Sequence, residues 1–194
     1  MKTVGIVLAA GASRRMGSPK ALLRGPDGIP LAARQAALLL AGGCEGVAVV
    51  LGSEIGRIRL ELPEKLATVE NPRWAQGRAS SLQAGIAAHP QADGFLFLPV
   101  DAAGVKEATI RAILEGAAKE PQHVWRPVHR GQKGNLLWIP QMAGRALIKL
   151  PPDARVDEWV RPLAKELEVS DPAILRNVNT PEEWALLIRT NPYS

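Results

Sequence analysis

Three cations, Arg14, Arg15 and Lys20, follow a run of small residues, Ala9-Ala10-Gly11-Ala12-Ser13, near the start of the chain. Small side chains leave backbone N–H groups bare, so a loop of this kind can wrap an anion. Arginine forks onto two oxygens at once, whereas lysine acts as a point charge. A polyphosphate is the ligand that uses bare amides and fixed positive charge together. The alternative is a basic surface turn joining a strand to a helix. Two familiar phosphate loops are excluded: Gly11 and Gly17 are separated by five residues and followed by Ser18-Pro19-Lys20, which breaks the Walker spacing, and GxGxxG is absent.

A second chemical group stands far along the chain. The run Gly94-Phe95-Leu96-Phe97-Leu98-Pro99-Val100 ends in a carboxylate, Asp101. An apolar run of this length reads as a buried strand, and the residue at its carboxyl end faces the ligand edge of an open α/β sheet. Asp101 there is either a turn cap or a ligand for Mg²⁺, which prefers hard, negatively charged oxygens.

The elements that must position these groups follow from apolar spacing. Val4-Gly5-Ile6-Val7-Leu8 and Val47-Ala48-Val49-Val50-Leu51 read as strands buried on both faces. Between them, Pro30 to Ala41 has a helix-starting proline and a Gly42-Gly43 stop. That order predicts a right-handed parallel crossover. Leu66 to Val69 is a third strand, a helix begins near Gly77, and Val105 to Lys119 is amphipathic. His123-Val124-Trp125 and Leu136-Leu137-Trp138-Ile139 are strand-like, while Gln141–Leu150 and Asp153–Leu167 read as helices. Thr180, Pro181 and Glu183 form a capping-box start for a last helix. The expectation is one α/β domain over residues 1–194: a Rossmann-like, three-layer domain with a mostly parallel sheet flanked by helices, and a site where strands one and four end.

The stretch LAAGASRRMGSPK, Leu8 to Lys20, resembles the signature of the MobA-like nucleotidyltransferases, which attach CMP or GMP to the molybdenum cofactor. The resemblance implies a fold of the nucleotide-diphospho-sugar transferase type. It also implies that Leu8, Ala9, Ala10, Gly11 and Ser13 line the nucleotide pocket and that Arg15 and Lys20 hold phosphates. Arg14 falls on a variable position and reads as a solvated charge. Asn71 to Ile86, NPRWAQGRASSLQAGI, is similar to the family's second element. There Ser80 and Ser81 would face the nucleotide, although both would ordinarily be helix-start hydroxyls, and Trp74 is either a packing or a functional residue.

The family carries Asp at the fourth strand's end, which favours Asp101 as the Mg²⁺ ligand, although Ala102-Ala103 replaces the usual Gln/Met-Pro. Arg126 to Gly134 is similar to the family's hairpin-like insertion, with Asn135 in place of His, and Arg130 and Lys133 there meet an acceptor phosphate or form a solvated turn. Asn177-Val178-Asn179 replaces the two aspartates of the family's tail box, putting Asn179 at a metal position. The head, Ala9-Ala10-Gly11 with Pro19-Lys20, is of the cytidylyl form, whereas the tail is familiar in the guanylyl branch. The implied reaction is attack by an acceptor phosphate on the α-phosphorus of CTP or GTP, with pyrophosphate leaving. The acceptor is of molybdopterin type or another phosphorylated molecule, such as a sugar or polyol phosphate.

A phosphomonoester with a second pKa near ~6 is already ionised at neutral pH, so no general base is required. His89, His123 and His129 stand apart and have no motif to recommend them as bases. A weakened, regulatory nucleotide-binding protein is the alternative that Asn179 prompts. Net charge is +5, but the cations are scattered without interleaved aromatics, which argues against nucleic acid. The one cysteine, Cys44, excludes an internal disulfide and reads as a small buried hydrophobe. Residues 1–8 lack a signal-peptide pattern and no apolar run has membrane-spanning length, so the expectation is a cytoplasmic protein with no membrane partner.

Overall fold

The computed structural model describes residues 1–190. Strand β1 (Thr3–Ala9) leads through the loop and a short 3-10 turn at Lys20–Leu22 into α1 (Leu31–Ala41). Then come β2 (Gly46–Leu51), α2 (Ile55–Glu61), β3 (Thr68–Glu70), α3 (Arg78–Ala88) and β4 (Gly94–Pro99). Helix α4 (Glu107–Lys119) is followed by β5 (Val124–His129), β6 (Gln132–Lys133) and β7 (Leu137–Pro140). The chain continues through α5 (Gln141–Ile148), α6 (Val156–Val160), β8 (Ala164–Glu168) and α7 (Pro181–Thr190).

Among the described residues, one eight-stranded sheet runs β3-β2-β1-β4-β7-β5-β6, with β8 pairing β5. The β1–β2, β2–β3, β1–β4 and β5–β8 pairs are parallel, and β7 runs antiparallel between β4 and β5. The chain winds outward from β1 to β3 and returns to place β4 on the other side of β1. That reversal opens the crevice in which α/β sheets hold ligands, beyond the strands' carboxyl ends.

The sheet is covered on both faces, as the buried-strand patterns require. Val7, Val49, Leu96 and Leu98 pack with Leu31, Leu39, Ile110 and Trp138 on one side. Val4, Ile6, Val50, Phe95 and Phe97 pack with Leu82, Ile86 and Leu147 on the other. Alternate residues of each strand therefore feed different cores, giving three layers. Cys44 is buried, and burial pushes its thiol up to about 12. No helix among the described residues is long and apolar enough to cross a membrane.

The chief departure from the sequence pattern is at residues 153–167, where a single helix was expected. Helix α6 stops at Val160, and Pro162 has no N–H to continue it. Ala164-Lys-Glu-Leu-Glu168 consists of helix formers, yet it pairs with β5 in register from Val124–Ala164 to Val128–Glu168. Tertiary pairing outweighs the weak intrinsic preference. Helix α2 is also unanticipated, because its seven residues bury only Ile58. The third strand sits later than expected, at Thr68–Glu70, set by its register against Val49–Leu51.

Gly52 lies where β2 ends, and space dictates the residue. An added Cβ would stand 2.4 Å from Trp74 Cβ and 2.8 Å from the Ala10 carbonyl oxygen. Gly52→Ala should therefore displace the indole and the first loop together, at a cost of about 1–3 kcal/mol. Urea unfolding measures that loss, and an unchanged midpoint would contradict this close packing.

Candidate functional site

The β1 loop opens onto a cleft of 320 Å³ at the carboxyl ends of β1 and β4. Leu8, Ala9, Ala10, Gly11, Ser13 and Lys20 line it, as do Trp74, Arg78, Ser81, Val100 and Asp101. Ser13 is a non-glycine residue with φ of 49°. Its hydroxyl accepts from the Lys20 backbone N–H at 3.0 Å, which folds the loop back on itself. The Met16 N–H donates to the Ser13 carbonyl at 2.9 Å and closes the turn between.

Lys20 is the centre of the polar floor. Its ammonium donates to Asp101 Oδ2 at 2.8 Å and to Asn179 Oδ1 at 2.9 Å. Arg15, exposed on the rim, donates to the same Asn179 oxygen at 3.0 Å. Three segments distant in sequence thus converge on one cation. Both side-chain oxygens that the sequence nominated for a metal point at it. Two hard oxygen donors meeting at a single cationic point are a donor set that suits a divalent ion. Among the described residues no group of three His, Cys, Asp or Glu side chains could hold a metal alone.

Asp101 stands two residues beyond β4, in a turn held from behind. The Ala102 N–H donates to the Pro99 carbonyl, and Ala102 and Ala103 are wholly buried where the family pattern has Gln/Met-Pro. Gln35, a buried amide on α1, donates to the carbonyls of Val100 at 3.2 Å and Ala102 at 3.0 Å. The Val178 N–H donates to the Asp101 carbonyl at 2.9 Å, tying the tail segment to the same turn. Asn179 is fixed by the start of α7. The Thr180 hydroxyl accepts from the Glu183 N–H, and Glu183 Oε2 accepts from the backbone N–H groups of Thr180 and Asn179. This is the expected reciprocal cap, extended by one residue.

The second element divides its two serines. Ser81 lines the cleft, but Ser80 is fully buried outside it. The Ser80 hydroxyl reaches the carbonyls of Gly77 and Arg73 at 2.8 and 3.0 Å and accepts from Asn71 Nδ2 at 2.9 Å. Its hydrogen-bonding capacity is spent inside the protein, so the expectation that it faces the nucleotide is corrected to a structural role. Trp74 both packs on Gly52 and lines the cleft.

Arg130 and Lys133 lie on the exposed β5–β6 hairpin, and Lys133 is paired with Glu166 at 2.9 Å. The arginine that enters the cleft is Arg78, at a position the motif leaves variable. It donates from Nη2 to the Asn135 carbonyl at 2.8 Å. Nothing in the sequence distinguishes Arg78 or Gln35 from surface residues, since each is identified only by what it touches.

A mostly parallel sheet flanked by helices, with a phosphate-suited loop at its switch point, defines a fold of the nucleotide-diphospho-sugar transferase type. Residues 5–169 match the MobA-like NTP transferase domain, and the chain belongs to that family of nucleotidyltransferases. It is 30% identical over 200 residues to a probable molybdenum cofactor guanylyltransferase of Synechococcus elongatus, covering 96% of this chain and 98% of that one. A nicotine blue oxidoreductase of Paenarthrobacter nicotinovorans is 38% identical over 113 residues, 57% of this chain. That match spans only 54% of the oxidoreductase. The crystal structure of Rv0371c from Mycobacterium tuberculosis H37Rv superposes with a TM-score of 0.81 at 25% identity, covering 97% of this chain and 99% of that one.

The hold of Gln35 on the Asp101 turn generates a test. Gln35→Met keeps the volume but leaves two carbonyls without their donor, which should cost about 1–3 kcal/mol. Chemical denaturation measures the loss. A full-stability variant would mean that the turn does not depend on this amide.

Proposed function

We propose that the chain transfers CMP from CTP to a molybdopterin-type phosphate with Mg²⁺, releasing pyrophosphate. The observation that carries this reading is the convergence of Asp101, Asn179, Lys20 and Arg15 beside the loop Leu8–Ser13. Residues 1–194 act as one domain in this reading, because Asn179 lies beyond the matched residues 5–169 and completes the site.

Asp101 and Asn179 would hold the metal, whose chemistry is neutralisation of phosphate oxygens as a Lewis acid. With one carboxylate and one amide, the protein supplies little of the charge a hard cation needs, so the nucleotide's phosphates would have to supply most of the negative ligands. Lys20, which donates to Asp101 and Asn179, would turn its ammonium to the triphosphate. Arg15 swings from the rim onto the same phosphates. The loop amides of residues 10–13 orient the chain of phosphates, and Ser81 stands at the wall facing the nucleoside. An acceptor oxygen, already ionised, attacks the α-phosphorus, and the bond to the bridging oxygen breaks. Alignment and fixed positive charge are then the contribution required of the protein.

The choice of CTP rests on Ala10. Ala10 stands where the guanylyl-type loop tends to carry glycine, and together with Pro19-Lys20 it gives the head of the chain the cytidylyl form. GTP is the second reading, favoured by relatives named as probable guanylyltransferases. Calorimetry with Mg²⁺ should give tighter binding of CTP than of GTP, and the reverse order would transfer the reading to GTP. With the preferred nucleotide and acceptor, Lys20→Ala and Asp101→Ala should each lower kcat/KM by on the order of 10²-fold while folding normally. Pyrophosphate release at the wild-type rate in either variant would remove this assignment of the site.

Asn179 generates a separate expectation. Replacing it with aspartate adds a formal charge to the donor pair, so Asn179→Asp should lower the Mg²⁺ concentration needed for half-maximal turnover. A Mg²⁺ titration unchanged from wild type would leave Asn179 as a turn residue before α7.

A further inference from the structure

We infer that Arg78 is the residue that binds the acceptor's phosphate, holding the nucleophile against the nucleotide. This rests on the transferase reading above and adds the acceptor side of the site, since Arg130 and Lys133, the residues the sequence offered for that phosphate, lie exposed on the hairpin and do not line the cleft.

The case begins with an unbalanced charge. Arg78 lines the cleft from the first position of α3, a different wall from the β1 loop that carries Lys20. Its Nε is buried without a hydrogen-bond partner, and its Nη2 donates to a neutral carbonyl, that of Asn135. No carboxylate lies within ion-pairing distance of it among the described residues, although Asp157 and Asp101 act on it from farther away. Burial pushes the guanidinium below the usual arginine value, and Arg126 adds to that. It stays protonated, as arginine does in proteins, and so pays for its desolvation without a counter-ion.

Neighbouring cations are each accounted for. Arg126 donates to the Gly134 carbonyl at 2.9 Å and pairs with Asp157 at 3.0 Å. Successive carbonyls, Gly134 and Asn135, therefore anchor two arginines, one neutralised and one not. Lys133 is paired with Glu166. Lys20 and Arg15 are tied to Asp101 and Asn179, the pair that the donor's triphosphate and metal engage. Arg78 alone among these is a half-buried cation in the cleft, its Nε enclosed, with no anion of its own. A phosphate dianion supplies one and takes the forked geometry that a planar guanidinium offers. The Asn135 carbonyl fixes the plane of the fork, so the phosphate is oriented as well as attracted.

The test uses inorganic phosphate as probe and the full chain. Calorimetry first measures the affinity for a non-transferable α,β-methylene CTP or GTP analogue with Mg²⁺. Phosphate is then titrated into the nucleotide-saturated protein, where the donor subsites are filled. Arg78→Met should weaken phosphate about tenfold or more, the size expected for a lost charged hydrogen-bond pair. Its nucleotide affinity should stay within about twofold of wild type. Arg78→Lys keeps the charge without the fork and should fall between the two, which serves as the test if the Met variant fails to fold. Equal weakening of nucleotide and phosphate would assign Arg78 to the donor and overturn the inference. So would unchanged phosphate binding in Arg78→Met, or no phosphate binding by the nucleotide-loaded wild type. A wild-type chain that binds neither nucleotide overturns the transferase reading, and this inference with it.

Discussion

One ammonium group ties the site together. Lys20 belongs to the loop after β1, Asp101 to the turn after β4, and Asn179 to the segment before α7, and among the described residues only the Lys20 side chain touches both oxygens. Its position depends on the winding of the sheet. Because the chain returns to set β4 beside β1, with Leu8 paired to Pro99, the loop and the acidic turn leave the sheet at the same level. The tail then crosses this edge, fixed by the Val178 bond to Asp101 and by the capping box that follows. In the absence of ligand, the lysine neutralises the carboxylate and satisfies the amide oxygen. The same oxygens would otherwise be left facing each other in a half-buried floor, at an electrostatic cost.

The supporting shell is neutral and buried, and it determines how rigid that floor is. Gln35 fastens the carbonyls on either side of Asp101 from α1. Asn71 holds both serine hydroxyls of α3 and, through its Oδ1, the Arg73 N–H. Each of these amides bridges an element to a loop that would otherwise be fastened only at its ends. In such a scheme charged groups face the ligand, whereas uncharged amides carry the geometry. This division suits chemistry that needs alignment more than proton transfer.

Much of the arrangement was legible in the sequence where local chemistry decides it. The β-branched runs of β1 and β2, the Pro30 helix start and the Thr180-Pro181-Glu183 cap each have a cause within a few residues. The same holds for the loop residues, whose smallness and charge are visible as such. Features decided by long-range pairing were not legible. Strand β8 is built from helix-forming residues and is a strand only because β5 offers an edge to it. Ser80 and Ser81 are adjacent, chemically identical and both bonded to Asn71, and only the turn of α3 puts Ser81 on the cleft wall and encloses Ser80 against the Gly77 and Arg73 carbonyls. The burial of Arg78 and the reach of Gln35 depend on partners about 60 residues away, so no spacing rule announces them.

The placement of Asn179 has a consequence for how such a site can diverge. It is carried on a strap beyond residues 5–169, anchored by its own helix cap rather than by the sheet. The strap touches the core through Val178, while residue 179 presents only a side-chain oxygen to the floor. An amide and a carboxylate are nearly the same size there and differ by one charge. Evolution can therefore adjust the electrostatics of this pocket by a single exchange at the chain's far end, leaving the strands, their register and the nucleotide loop untouched. The tail works as a tuning element on an otherwise fixed frame.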